Sequence, residues 1–385
     1  LIARASLLLW LIAAPAVAVT LPFEFDFSAR PDYDAQRGYG FEPAAAESFS
    51  VQLPEGNYRV TVLLAAGRKG SRATVLAEQR RFMSAELTLK PKKLLERSFI
   101  VNVRTSALGP LPENATGGTA VRLKPRELGS ATWDDKLTLQ VLGDARLRAL
   151  RIEAADVPTL YLAGDSTVTD QPLAPSASWG QMLPQFFAEL AIANHAESGE
   201  TLKSFLTEMR FDKLLEKLRT GDWVMIQFGH NDQKAQWPQT YAAAATTYRS
   251  WLRTYIAEVR RRGATPLLVS SPERRNFDDA GHIVPSLGDY ADAARAVAQE
   301  ERVAFIDLNA MSRSFYEALG PELAPRAFAD SGRDRTHFNE YGADALARMI
   351  VEGLRAADPA LTAGLEKHLA GVARFDPAHP SLPQE

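Results

Sequence analysis

The segment Thr159-Leu-Tyr-Leu-Ala-Gly-Asp-Ser-Thr-Val168 is a short apolar run that stops in a Gly-Asp-Ser turn. An apolar run of this length, bounded by a turn, reads as a strand buried on both faces, as the strands of a parallel sheet are. Runs of the same kind follow at Asp222-Trp-Val-Met-Ile-Gln-Phe228, Thr265-Pro-Leu-Leu-Val-Ser270 and Val303-Ala-Phe-Ile306, with a weaker one at Ala191-Ile-Ala-Asn194. Helical patterns lie at 182–190, 205–218, 241–262 and 290–301, and another follows at 340–354. Strand alternating with helix predicts an α/β fold, a parallel sheet covered on both faces.

Upstream the rhythm differs. Asn57-Tyr-Arg-Val-Thr-Val-Leu-Leu64, Arg97-Ser-Phe-Ile-Val-Asn-Val-Arg104, Lys136-Leu-Thr-Leu-Gln-Val-Leu142 and Arg148-Ala-Leu-Arg-Ile-Glu153 alternate polar with apolar or β-branched residues. Turn clusters such as Pro54-Glu55-Gly56 and Gly143-Asp144 separate them. Strands at this spacing, with no helical stretch between, suggest an antiparallel β-sandwich. The change falls near Asp156-Val157-Pro158, so the expected units are 21–156 and 157–385.

Residues 1–18 are read apart from both. A basic start, an apolar core and Ala16-Val17-Ala18 have the layout of a secretory signal, with cleavage after Ala18. The apolar run is short for a membrane span. The expected location is therefore secreted or periplasmic, with no membrane attachment once the leader is removed. The 385 residues are 46% hydrophobic and 24% charged, with 44 basic and 47 acidic side chains and a net charge of −3. That composition supplies a core and shows no basic excess, so no nucleic-acid partner is expected. Without cysteine there are no disulfides, no thiolate nucleophile and no Cys-rich zinc site. Nothing in the sequence speaks to oligomeric state.

In an open parallel sheet, binding residues collect beyond the C-terminal ends of the strands. Gly164-Asp165-Ser166 follows the first strand, Gly199 lies in Glu197-Ser198-Gly199-Glu200-Thr201 after the second, and Gly229-His230-Asn231-Asp232 follows the third. Asp334-Arg335-Thr336-His337-Phe338 precedes the last helical pattern. Ser166 offers a hydroxyl, a poor nucleophile until a base takes its proton. Alone, Gly-Asp-Ser reads equally as a turn or a helix cap. His337 is the candidate base, because an imidazole of ordinary pKa ~6.5 shuttles protons near neutrality. Asp334, three residues earlier, can bend back to fix its tautomer and stabilise the imidazolium. A lone Asp-x-x-His equally describes a cap beside a surface histidine. Acyl transfer also needs oxyanion donors, each worth ~10²–10³ in turnover. The Ser166 N–H, the Gly199 N–H and the Asn231 side-chain amide are the candidates. Their alternatives are a left-handed turn at Gly199 and a loop amide serving local backbone at Asn231. His230 is given a supporting role, since His337 has the carboxylate at the right spacing.

Together and in this order, the four motifs resemble the SGNH hydrolases, also called the GDSL esterase superfamily, over roughly 159–354. Gly164-Asp165-Ser166-Thr167-Val168, Ser178-Trp179-Gly180-Gln181, Phe228-Gly229-His230-Asn231-Asp232 and Asp334-Arg335-Thr336-His337-Phe338 are similar to the rhamnogalacturonan acetylesterase group, carbohydrate esterase family 12. The resemblance implies a flavodoxin-like three-layer α/β/α hydrolase domain. It implies Ser166 as nucleophile, His337 as base, Asp334 as its partner, and Ser166, Gly199 and Asn231 in the oxyanion hole. It also implies an acetylated polysaccharide or oligosaccharide substrate of pectic type, a serine-esterase reaction, and no cofactor or metal. The front region resembles the galactose-binding-like domains that precede the hydrolase in some bacterial relatives. One block departs: Gly199-Glu200-Thr201 stands where the family often has Gly-Arg-Ser. The backbone donor survives, but an acidic side chain there is expected to work against an acidic polysaccharide.

Other residues have two readings each. Arg274 and Arg275, after the fourth strand, either hold a uronate carboxylate or lie in a solvated loop. Trp179 and Trp237 either stack on sugar or, as is commoner for a helix-start tryptophan, pack in the core. Trp133-Asp134-Asp135 is part of a sugar or calcium site or, more simply, a turn before a strand. Three rival functions share these residues. A lipase- or thioesterase-like enzyme would need an apolar groove. A metal-dependent phosphoesterase would gather Asp165, Asp170, His230 and Asn231 around metal ions. A polysaccharide-binding protein would carry the hydrolase domain without its activity.

Overall fold

The computed structural model describes residues 19–43 and 45–382, and the expected leader, 1–18, lies outside them. Nine strands come first: β1 (Phe23–Asp26), β2 (Tyr39–Glu42), β3 (Ala45–Gln52), β4 (Gly56–Ala65), β5 (Ser71–Ala77), β6 (Arg81–Leu89), β7 (Leu94–Val103), β8 (Lys136–Gly143) and β9 (Arg146–Ala154). They form two antiparallel sheets, ordered β1-β9-β4-β7 and β2-β3-β8-β5-β6. Period-two alternation builds the space between them. Tyr58, Val60, Val62 and Leu64 of β4 are buried while Arg59, Thr61 and Leu63 are less so. They meet Phe49, Val51, Val75, Leu137 and Leu139 of the other sheet in one apolar core. Strands β1, β2, β3, β5 and β6 were not among those expected. In β3, Ser48-Phe49-Ser50-Val51 alternates, with Phe49 and Val51 in the shared core and Ser50, buried on the opposite face, bonding Thr138 at 2.8 Å.

The second region contains β10 (Thr159–Gly164), β11 (Ser176–Ala177), β12 (Ala191–Asn194), β13 (Trp223–Gln227), β14 (Thr265–Val269), β15 (Ala304–Ile306) and β16 (Phe338–Asn339). Its helices are α1 (Trp179–Met182), α2 (Leu202–Thr207), α3 (Arg210–Lys217), α4 (Arg249–Arg261), α5 (Gly288–Glu301), α6 (Leu308–Leu323), α7 (Glu340–Ala356) and α8 (Pro359–Thr362). Strands β12-β10-β13-β14-β15 form one sheet, parallel throughout. In chain order this is 2-1-3-4-5, the flavodoxin-like arrangement, with its switch point between β10 and β13. Leu160 and Leu162 face Trp179, Phe315 and Leu346 on one side, whereas Tyr161 and Ala163 face Phe211, Ile256 and Val297 on the other. Both faces are covered, which is why these strands read as unbroken apolar runs.

Several helices differ from expectation. The pattern at 182–190 does not form a helix. α1 stops at Met182, and a 3₁₀ turn over Leu183–Phe186 leads on toward β12. Pro184 sits in that turn, where its missing N–H is harmless. The helix expected at 205–218 is two helices, α2 and α3, parted at Met209, whose φ is +61°. α6 was not expected, because Gly320 and Pro321 interrupt its pattern. Among the described residues no helix is long and apolar enough to cross a membrane.

The two regions meet along β7 and β12, and Leu76 of β5 and Phe82 of β6 pack into the same core as Trp179 and Phe186. Ile100, Val157 and Ala191 make a small apolar contact, and Arg59 holds Glu189 through two bonds of 2.6 and 2.5 Å. Arg81 pairs with Asp170 at 2.6 Å, both side chains almost fully buried.

Candidate active site

β10 runs out at Gly164, and the chain turns at once. A Cβ on Gly164 would stand 2.5 Å from Val168 Cγ2 and 3.0 Å from the Gln227 carbonyl oxygen, so the turn closes this tightly only on glycine. Asp165 is buried, and its Oδ1 accepts the Thr167 N–H at 3.0 Å and the Thr167 hydroxyl at 2.9 Å. This Asx-type turn holds Ser166 at the edge of the sheet. Gln171 Nε2 donates to the Ser166 carbonyl at 2.8 Å and secures the next turn.

The histidine arrives by a separate route. β16 pairs antiparallel with β11, Ser176 opposite Asn339 and Ala177 opposite Phe338. The Ala329 N–H donates to the His337 carbonyl at 2.9 Å. These contacts bring the 334–337 loop over the Ser166 turn, although 171 residues separate the two side chains in sequence. His337 Nε2 lies 2.9 Å from Ser166 Oγ, and Nδ1 lies 2.8 Å from Asp334 Oδ2. Asp334 Oδ1 accepts the N–H groups of Thr336 and His337 at 2.7 and 2.9 Å. Burial pushes the Asp334 carboxyl up, but the bonds from His337 and Thr336 outweigh it and hold the group below the usual carboxylate range. A carboxylate only accepts, so the ring proton is assigned to Nδ1, leaving Nε2 free to accept from the serine. The competing role of helix cap belongs to Asn339, whose Oδ1 accepts the Gly342 N–H of α7 at 3.0 Å.

Ser166, Gly199 and Asn231 stand beyond the ends of β10, β12 and β13, flanking the switch point. The backbone N–H groups of Ser166 and Gly199 donate to no protein acceptor among the described residues. Gly199 has φ +85°, so it is both the left-handed turn and an unengaged donor. Asn231 is buried, donating from Nδ2 to the Glu200 carbonyl at 3.0 Å while its Oδ1 accepts from Lys234 at 2.7 Å. A primary amide has two N–H bonds, so one remains for a substrate oxygen.

The other expected site residues have engagements of their own. Trp179 is 0% exposed, and its indole N–H donates to Gln227 Oε1 at 2.8 Å. It is a core residue, and the sugar contact expected of it is ruled out by burial. His230 is buried with its Nδ1 3.4 Å from Asp165 Oδ2. That proximity is not a hydrogen bond, for neither ring nitrogen has such a partner among the described residues. Arg274 bonds the His230 carbonyl and Ser286 at 3.3 Å each. Arg275 bonds the carbonyls of Gly332 at 2.6 Å and Asp334 at 3.3 Å, and it lies over Phe328. Arg275 thus braces the loop that carries Asp334. Trp237 is 42% exposed, with Lys234 Nζ 4.1 Å from its ring centre. Trp133 ends a 3₁₀ turn and bonds Glu127 at 2.9 Å, while Asp134 caps the Lys136 N–H at the start of β8. It is the turn before a strand. Asp165, Asp170 and His230 do not converge as a metal site, because Asp170 is engaged by Arg81 and Asn194.

Glu200 corrects another expectation. Its side chain is fully buried and paired with Lys124, with Arg210 Nε at 3.5 Å and the Ser204 hydroxyl donating at 2.6 Å. A carboxylate below the surface and neutralised in this way does not repel an acidic polymer. Lys124 and Arg126, both from the front region, were missed by sequence reasoning. They touch the 197–200 loop across more than 70 residues, and no spacing rule links such partners. Beside this loop lies a cleft of about 140 Å³, walled by Gln79, Arg126 and Thr132 from the front region and by Gln171, Glu197 and Ser198 from the other.

The GDSL-like lipase/acylhydrolase family matches residues 162–345. The rhamnogalacturonan acetylesterase RhgT of Bacillus subtilis (strain 168) is 41% identical over 209 residues, 51% of this chain and 88% of its own length. The esterase YxiM of the same organism is 30% identical over 329 residues, 84% of this chain and 78% of its own, so that likeness extends into the front region. The crystal structure of YxiM is 27% identical with a TM-score of 0.49, covering 82% of each chain. A serine, imidazole and carboxylate within bonding distance at the switch point of a 2-1-3-4-5 sheet agree with those sequence relationships, and the chain belongs to the SGNH (GDSL) hydrolases, as a carboxylic ester hydrolase.

Proposed function

We propose that this protein is a carbohydrate O-acetylesterase acting on pectic polysaccharide of the rhamnogalacturonan type, through an acyl-enzyme formed on Ser166. The observation that carries the mechanism is the continuous chain Ser166 Oγ to His337 to Asp334, at 2.9 and 2.8 Å. The substrate class is supported by RhgT and its 41% identity. Ser166 Oγ attacks the acetyl carbonyl carbon while its proton passes to His337 Nε2. The carbonyl oxygen becomes an oxyanion held by the N–H groups of Ser166 and Gly199 and the free N–H of Asn231. The intermediate collapses, the ester C–O bond breaks, and the sugar oxygen leaves with the proton from His337. Water, deprotonated by the same imidazole, then attacks the acetyl-serine and releases acetate. Trp237 offers an exposed ring for a sugar face. The apolar leader pattern of residues 1–18 supports export and action outside the cytoplasm.

Acetate release from acetylated rhamnogalacturonan, acetylated xylan and short- and long-chain nitrophenyl esters tests this reading. Ser166→Ala is expected to abolish release while the thermal melt stays within a few degrees of wild type. Full activity in that variant refutes the mechanism, and preference for long-chain esters refutes the substrate.

A further inference from the structure

The peptide joining Ser198 to Gly199 carries the candidate oxyanion donor, the Gly199 N–H, at one end and the Ser198 carbonyl at the other. In a planar trans peptide the two point in opposite directions, so fixing one aims the other. Two cations fix it. Lys124 Nζ donates to the Ser198 carbonyl at 2.7 Å and Arg126 Nη2 donates to it at 2.5 Å. Each cation also pairs with a carboxylate flanking that peptide: Lys124 with Glu200 and Arg126 with Glu197. The segment that presents them is itself anchored. The Lys124 N–H donates to Glu127 Oε2 at 2.8 Å, the Arg122 N–H donates to the Glu208 carbonyl at 2.9 Å, and Glu127 is held by the buried Arg210 of α3. Charge-assisted bonds at a carbonyl hold the peptide plane still. They also draw electron density from the amide, which strengthens its N–H as a donor.

We propose that Lys124 and Arg126 are positioning residues that orient and polarise the Gly199 N–H for the oxyanion, so that the front sandwich completes the active site instead of serving only as a detachable sugar-binding module. This rests on the acyl-enzyme reading above. Both residues lie outside 162–345, the stretch matched by the hydrolase family.

The test is steady-state hydrolysis of 4-nitrophenyl acetate by the full chain, with thermal melts alongside. The variants are Lys124→Met, Arg126→Met, their double, Lys124→Arg, and Lys124→Met combined with Glu200→Gln. Removing a whole oxyanion donor costs ~10²–10³, so weakening one is expected to lower kcat about tenfold per cation, and about a hundredfold in the double, with KM within about twofold. Lys124→Arg should restore most of the loss. Adding Glu200→Gln should not, because the loss arises at the peptide and not from an unpaired buried carboxylate. Arg126, 55% exposed, is removable without breaking the core and serves as the folding-safe variant. The proposal is overturned if a folded Arg126→Met variant keeps kcat within twofold of wild type, if KM rises while kcat holds, or if Glu200→Gln rescues Lys124→Met. Ser166→Ala, assayed in parallel, reports on the acyl-enzyme reading alone.

Discussion

Replacing Asp334 by asparagine changes one oxygen to NH₂ at nearly constant shape. Asp334 Oδ1 accepts two backbone N–H groups at 2.7 and 2.9 Å, while Oδ2 faces His337 Nδ1 at 2.8 Å. An asparagine keeps its oxygen on the two backbone donors, since turning its NH₂ toward them sets donor against donor. Its NH₂ then faces Nδ1. A donor there is satisfied only if Nδ1 gives up its proton, which moves to Nε2, and Nε2 then donates toward Ser166 instead of accepting from it. The base is lost, and so is the negative charge that stabilises the imidazolium. On the serine-triad precedent this costs ~10⁴ in kcat, about 5.5 kcal/mol at ~1.36 kcal/mol per decade. The fold should persist, because both backbone bonds survive. The sign with pH is also set. The Asp334 carboxyl is held below its ordinary value in the folded state, so its stabilising contribution is present above the unfolded pKa of ~3.9 and is lost as pH falls through the folded one. The melting temperature of Asp334→Asn should trail wild type near neutrality and converge with it below about pH 4. Acetate release read by a coupled assay at pH 6–9 gives kcat. A kcat within tenfold of wild type would refute the tautomer argument.

Two further outcomes follow from burial. Trp179→Phe leaves a void and strips Gln227 of an indole donor, so it should cost about 2–3 kcal/mol in chemical denaturation while KM for acetylated pectin stays unchanged. A raised KM at unchanged stability would return Trp179 to the substrate. Glu78 is buried, and burial pushes its carboxyl up to about 8, against ~4.3 in the unfolded chain. The folded state therefore holds a proton that the unfolded chain releases, and stability falls as pH rises through that window. Glu78→Gln lacks this loss, so its melting temperature should gain on wild type between about pH 4 and pH 8, and a gap constant with pH would contradict the assignment.

The hydrolase strands were legible because each is buried on two faces, which demands apolar side chains in succession, as in Thr159-Leu-Tyr-Leu-Ala163. The sandwich was legible in β4, β7, β8 and β9, although β7 buries Phe99, Ile100 and Val101 in succession because Ile100 turns toward the second region. β3 alternates as well, with Phe49 and Val51 in the core while Ser50 bonds Thr138 on the opposite face. The break between α2 and α3 falls at Met209, which takes φ +61°, a conformation that no glycine or proline at that position announces. Ser166, His337 and Asp334 were identifiable as residue types in a given order, and the structure brings them to bonding distance. Trp179 was open to two readings until burial chose the core.

Sequence alone determined the sheet class, the edge where chemistry collects, and the chemical kinds of side chain placed there, because burial pattern and reactive groups are local properties of the chain. Only tertiary structure decided that Glu200 is neutralised, that Arg275 braces the Asp334 loop, and that Lys124 and Arg126 grip the Ser198 carbonyl. These contacts join residues remote in sequence, and a charge's effect depends on distance, burial and partner, quantities that exist only once the chain has folded.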